Sequence, residues 1–225
     1  MKELDLNGTQ LNTPENSMLS LSWLVEADTK FAPHKWKTDI VCPYGEASQK
    51  LGNGLDNCLV QLKTAIKAAY PNKTNEELQE FIKWNNLPYS WGPYLDKDGN
   101  KRQGFPDDNY LVIRTNKKTH KPNGTPNTAP VMFDNRQQEP LNDTQKKKYI
   151  KIGPCTTAQV ALYVFPYHKD VGSGLAITPS AINIKKFIPF GSQAQTAEGW
   201  GFTVDAPQQE SGTPATPNPK DNFGF

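Results

Sequence analysis

Residues 158–167 (AQVALYVFPY) restrict the possible folds of this chain more than any other segment. Apolar side chains of two kinds alternate along it: Val160, Leu162 and Val164 at one set of positions, and Tyr163, Phe165 and Tyr167 at the other. Successive side chains of a strand point to opposite faces. The segment therefore predicts a long strand with one aliphatic and one aromatic face.

Five other segments have strand patterns: residues 18–26, 36–41, 110–115, 131–133 and 175–190. The alternation places Lys37 and Asp39 on one face of their strand and Trp36 on the other. In residues 110–115 it places Tyr110 on the same face as Arg114. Short strands separated by Gly and Pro turns predict a mainly β fold, an OB-type five-stranded barrel spanning residues 18–191. A β-sandwich is the alternative architecture.

A helical insertion is predicted at about residues 47–85. One apolar stripe runs at helical spacing: Leu55, Leu59, Leu62 and Ile66. Pro71 ends this helix. Thr74 and Glu77 have the spacing of a capping box, which begins a second helix. We expect the insertion to serve packing or partner contact.

Both ends of the chain are polar. Residues 1–17 predict a flexible arm, and they lack the apolar core of a signal peptide. Residues 192–225 are rich in Pro, Gln, Ser and Thr and predict a disordered tail that ends in Phe225. No apolar run approaches the roughly 18 residues of a membrane span. We therefore expect no membrane association.

Basic residues are concentrated in one part of the chain, although the formal net charge is only +2. Residues 109–197 contain 12 Lys and Arg against 4 Asp and Glu, whereas residues 1–108 contain 12 against 15. Residues 198–225 contain 1 against 4. This segregation predicts a basic surface for a polyanion and an anionic tail that competes for it. A solvated basic face is the alternative.

Catalytic motifs are absent from the sequence. It contains neither a phosphate-binding glycine loop nor an H-E-x-x-H metal motif. Three cysteines without a Cys-x-x-Cys pair predict neither a disulfide framework nor a zinc site. Residues 96–100 (DKDGN) lack the glycine and glutamate positions of a calcium loop and fit a hairpin turn. We expect a protein that is not an enzyme and needs no cofactor.

Aromatic and basic residues instead occur together on the predicted strands. Single-stranded nucleic acid offers phosphates to cations and base faces to aromatic rings. The candidate residues for binding single-stranded nucleic acid are Trp36, Lys37, Tyr110, Arg114, Tyr163, Tyr167 and Lys169, with Lys117, Lys118 and Lys121 in the loop after residue 115.

An ordered series of short motifs resembles a known family. It comprises Trp36-Lys37-x-Asp39, Pro88-Tyr89 leading to Pro93-x-x-Asp96 and Gly99, Val164-Phe165-Pro166-Tyr167 before Gly172, Leu175-Ala176-Ile177, and Phe190-Gly191. Over residues 18–191 this order is similar to that of the single-stranded-DNA-binding proteins of short-tailed, T-odd-type bacteriophages.

The resemblance implies an OB-fold homodimer that coats single-stranded DNA in phage replication, recombination and repair, in the cytoplasm of the infected bacterium. It also implies that the tail, through Phe223 and Phe225, contacts the phage DNA polymerase and helicase-primase. By position, Tyr167 matches a ring that stacks on DNA, and Arg114 stands where the family has a groove lysine.

Two positions depart from the family pattern. Ala161 stands where the family has another lysine, and the tail is less acidic than the family tail. Two other functions remain open. One is a β-sandwich accessory module of a virion that binds protein or glycan through Trp91 and Tyr94. The other is an OB protein that binds duplex or RNA.

Overall fold

A computed structural model describes residues 4–30, 32–82, 87–169 and 172–191. Eight strands form one sheet: β1 (Thr9–Asn12), β2 (Met18–Asp28), β3 (Lys35–Pro43), β4 (Tyr89–Gly92), β5 (Tyr110–Lys118), β6 (Val131–Asp134), β7 (Thr156–Lys169) and β8 (Gly172–Lys186). The helices are α1 (Glu46–Ala69), α2 (Asn75–Gln79) and α3 (Asp143–Lys146), the last continued by a 3-10 turn at Lys147–Tyr149.

The strands follow the order β4-β5-β3-β2-β7-β8-β6, with β1 paired to β7 beside β2. All neighbours are antiparallel except β6 and β8. The sheet curls so that β5 also lies beside β8. The mainly β fold with a helical insertion is confirmed, but the predicted count of five strands is wrong. Short segments such as β1 and β4 become strands only by pairing with longer neighbours.

The main core lies between α1 and one side of the sheet, which we call the inner side. Leu55, Leu62 and Ile66 of α1 are almost fully buried there, together with β7 residues such as Val160 and Leu162. Each fully buried side chain of this size contributes about 1.5–3 kcal/mol. The insertion is therefore part of the core of the domain.

A smaller core covers one end of the other side of the sheet, which we call the outer side. The loop between β4 and β5 folds back and places Tyr94 and Phe105 over Tyr110, with edge-to-face ring contacts. Val41 and Val112 complete this cluster. The loop thus removes that end of the outer side from solvent.

The predicted capping box at the start of α2 is present. Thr74 Oγ1 accepts a hydrogen bond from Glu77 N at 3.3 Å, and Glu77 Oε2 accepts one from Thr74 N at 2.8 Å. The prediction of a flexible arm over residues 1–17 is wrong for Thr9–Asn12. These residues form β1 and pair with β7, so that Thr9 lies opposite Val164 and Asn12 lies opposite Ala161. The predicted C-terminal tail lies outside the described residues.

No helix in the described part of the chain is long and apolar enough to cross a membrane.

Candidate nucleic-acid interface

A groove of about 420 Å³ opens on the outer side of β2, β3 and β5. Strand alternation builds it, because Lys35, Lys37 and Asp39 all point outward from β3. Across the strand pair, Lys37 lies opposite Asn116 and Asp39 lies opposite Arg114. The full lining is Leu21, Trp23, Asp28, Ala32, Pro33, Lys35, Lys37, Asp39, Arg114, Thr115 and Asn116.

A β-bulge in β2 supplies the apolar wall of this groove. Ser20 pairs with Asp39, but Trp23 rather than Ser22 pairs with Lys37, so β2 contains one extra residue. Leu21 has a positive φ of 49° at this point. As a result Leu21 and Trp23 stay 50% and 47% exposed beside the groove.

Charges of both signs line the groove. Lys37 Nζ lies 2.5 Å from Asp28 Oδ2, and the Tyr94 hydroxyl donates to Asp39 Oδ2 at 2.7 Å. The hydrogen bond from Lys37, followed by that from the Lys30 backbone N–H, lowers the pKa of Asp28. Arg114 is exposed and forms no ion pair within the described residues. Its guanidinium is therefore the cation of the groove most available to a phosphate.

The aromatic face of β7 forms a second outward feature. Tyr163 and Phe165 are 43% and 40% exposed, Tyr167 is half-buried, and Lys169 follows at the exposed end of the strand. Gly174 lies opposite Tyr167, and a Cβ there would sit 3.0 Å from the tyrosine hydroxyl. The glycine thus leaves the space that the Tyr167 ring occupies.

The groove and the β7 aromatic face share the outer side of the sheet. Met18 of β2 pairs with Val41 of β3 on one side and with Thr157 of β7 on the other. Paired residues point to the same face. Regular alternation keeps Val41, Asp39 and Lys37 on that face of β3, and it keeps Thr157 and Tyr163 on the same face of β7. Both features therefore lie on the same side of the sheet.

The structure places the predicted site residues in several different positions. Lys37 and Arg114 line the groove, while Tyr163, Tyr167 and Lys169 occupy the outer face of β7. Lys118 pairs with Lys35 and lies exposed at the end of β5, and Lys121 is exposed in the turn that follows. Phe223 and Phe225 lie outside the described residues.

Trp36 and Lys117 are placed away from the groove. They pair with each other on the side of the sheet that carries Thr38 and Ile40, opposite Lys37. Both are half-buried, and burial lowers the pKa of Lys117. The structure thus does not bring Trp36 together with Lys37, although the two are adjacent in sequence.

Tyr110 is a wrong site prediction. It does share the outer face with Arg114, as alternation predicts, but it is only 1% exposed beneath Phe105. The same loop buries Tyr94, so the aromatic patch expected of Trp91 and Tyr94 does not form. Trp91 lies instead on the helix side, next to Gly52 and Tyr44.

Sequence analysis missed the groove residues Leu21 and Trp23. Regular alternation through residues 18–26 places both with Leu19, which is fully buried. The available signal is the adjacent apolar pair Leu24-Val25, which breaks the alternation. Among the described residues, no cluster of three His, Cys, Asp or Glu side chains could hold a metal ion.

Comparison with known proteins gives matches by structure. No family model and no curated protein matches the sequence. The crystal structure of gp2.5, a single-stranded DNA binding protein encoded by bacteriophage T7, aligns with a TM-score of 0.58 at 14% identity, covering 93% of this chain and 100% of that one. The single-stranded DNA-binding protein from bacteriophage Enc34, in complex with single-stranded DNA, aligns at 0.55 and 12% identity, covering 81% and 89%. This chain therefore has the fold of those two phage proteins.

Proposed function

We propose that this chain binds single-stranded DNA without regard to sequence. The observation that carries the proposal is the outer-side groove, where Lys37 and Arg114 lie beside the exposed Trp23 ring. Cations bind phosphates, and a ring stacks on a base of any identity. The fold shared with the single-stranded DNA-binding proteins of bacteriophages T7 and Enc34 supports the same function.

The groove suits a single strand better than a duplex. In a duplex the base faces are covered by their neighbours, whereas Trp23 and the β7 rings offer stacking surfaces on one side of one sheet. The interacting groups follow neighbouring strands rather than a protruding helix that could enter a major groove. The role is binding rather than catalysis.

The biological setting belongs to the same proposal and rests on the sequence resemblance. The protein coats and protects single-stranded DNA during phage replication, recombination and repair, in the cytoplasm of the infected host, and it acts as a homodimer. Its tail recruits the phage polymerase and helicase-primase through Phe223 and Phe225. The composition of residues 192–225, polar with two aromatic residues near position 225, supports this role for the tail.

A salt titration tests the proposed function. The full chain, followed through its five tryptophans, should bind oligo-dT tightly at low salt and bind a duplex of equal length weakly. The logarithm of the affinity should fall by about 0.7 per phosphate contact for each decade of salt. Arg114→Gln should reduce that slope by about 0.7, because one contact is lost.

Arg136→Gln is the control for the loss of one positive charge, since Arg136 is exposed in the turn after β6 and does not line the groove. No binding at low salt, or equal binding to the duplex, contradicts the proposal. An oligo-U arm of equal length distinguishes an RNA-binding protein from a DNA-binding one.

Tyr167→Ala tests the β7 aromatic face. Stacking on one base is worth roughly 1–3 kcal/mol, and we expect about 1 kcal/mol here because most of the Tyr167 surface is already covered by the protein. Tyr167→Phe keeps the ring and should bind oligo-dT as the wild type does. Unchanged affinity of Tyr167→Ala, with an unchanged unfolding midpoint, removes Tyr167 from the site.

A further inference from the structure

Asp28 is the one acidic residue that forms an ion pair with a described cation lining the groove. Its Oδ2 lies 2.5 Å from Lys37 Nζ, and its Oδ1 accepts the Lys30 backbone N–H at 3.0 Å. Both oxygens are therefore engaged, and the carboxylate is held within the groove. The pKa of Asp28 is lowered by these contacts, so the carboxylate is ionised at neutral pH.

The Asp28–Lys37 ion pair is partly open to solvent, and we expect it to add little to the stability of the fold. Lys37 exposes 41% of its side chain and Asp28 15%, so water reaches both charges. Ion pairs in such positions add little to folding stability. Lys35 and Arg114, the other cations that line the groove, form no ion pair within the described part of the chain. The main effect of the Asp28–Lys37 ion pair is therefore to reduce the positive charge that the groove presents to a ligand.

We propose that Asp28 is an internal competitor for the phosphate that Lys37 would bind. This inference rests on the proposed function, since it concerns the same groove. A phosphate near Lys37 is attracted less strongly than by an unpaired lysine, because the Asp28 carboxylate offsets the ammonium charge and repels the phosphate. Lys37 therefore adds less to affinity and to its salt dependence than an unpaired lysine would, and Asp28 keeps binding weaker and more readily reversible than the groove cations alone would make it.

Asp28→Asn is the direct test, in the full chain. Asparagine keeps an oxygen for the Lys30 N–H and removes the charge. We expect binding to oligo-dT about three- to fivefold tighter at low salt, the scale of a surface ion pair. The salt slope should become steeper by about 0.7, because Lys37 now makes a phosphate contact. Asp28→Ser is a second variant in case the asparagine chain is unstable.

Two controls separate this competition from a general change of charge. Asp108→Asn also removes one negative charge from an ion pair, that with Lys101 at 2.6 Å, but neither residue lines the groove. Lys37→Gln should cost less affinity in the wild-type background than in the Asp28→Asn background, and it should abolish the gain when it is combined with Asp28→Asn. This pattern makes a double-mutant cycle whose coupling is specific to the pair.

The inference is overturned if Asp28→Asn gains no more than Asp108→Asn, if the gain survives Lys37→Gln, or if Asp28→Asn weakens binding. If one of these outcomes is found while the wild type binds oligo-dT in a salt-dependent way, the inference fails and the proposed function is unaffected. If the wild type does not bind oligo-dT at low salt, the proposed function fails and this inference fails with it.

Discussion

Replacing Trp23 with alanine is expected to weaken binding to oligo-dT by about 1–3 kcal/mol, roughly five- to 150-fold. The ring is 47% exposed on the bulge of β2 and pairs with Lys37, so one residue offers a stacking surface next to a cation of the groove. Its removal deletes few core contacts, and the free energy of unfolding should change by less than about 0.5 kcal/mol. Anisotropy of a labelled oligonucleotide measures the affinity without the lost tryptophan signal.

Trp91→Ala is the matched control. Trp91 is also about half exposed, at 40%, but it lies over Gly52 of α1 on the inner side of the sheet. It should leave the affinity for oligo-dT unchanged. Equal losses in the two variants contradict a site on the outer side.

Leu62→Ala is expected to lower the free energy of unfolding by about 2–5 kcal/mol, because it leaves a cavity between α1 and the sheet. Leu62 is fully buried in the main core. Urea denaturation measures the loss as a shifted midpoint with an unchanged slope. The folded variant should bind oligo-dT normally, since Leu62 lies on the side of the sheet away from the groove.

Val60→Ala is the control on the same helix. Val60 is 55% exposed, so its truncation should cost less than about 0.5 kcal/mol. If Leu62→Ala costs no more than Val60→Ala, the helical insertion is not packed on the sheet as described.

Local periodicity predicted the elements whose faces are set by burial. The stripe of α1 and the two faces of β7 follow directly from spacings of 3.6 and 2 residues. The capping box at Thr74 is equally local, because its two hydrogen bonds join residues three apart. Such features depend on few distant contacts, and the sequence contains the information for them.

The candidate site was only partly predictable, because its composition depends on tertiary contacts. Alternation placed Lys37 and Arg114 on faces correctly, but it does not tell which faces a loop will cover. Phe105, from a loop without strand or helix signals, buries Tyr110. Trp23 reaches the groove only because β2 gains one residue against β3. Neither the loop that covers Tyr110 nor the bulge in β2 can be located from the periodicity of the sequence.

Because of the bulge at Leu21, the residues of β2 on its two sides can change independently of each other in evolution. Before it, residues such as Leu19 are constrained by the core, and after it Trp23 faces the groove. A one-residue deletion at the bulge would restore regular pairing and still leave Trp23 opposite Lys37, whereas a regular β2 of the present length would turn Trp23 to the side of Leu19. Substitutions at position 23 can therefore retune the groove while the core stays unchanged.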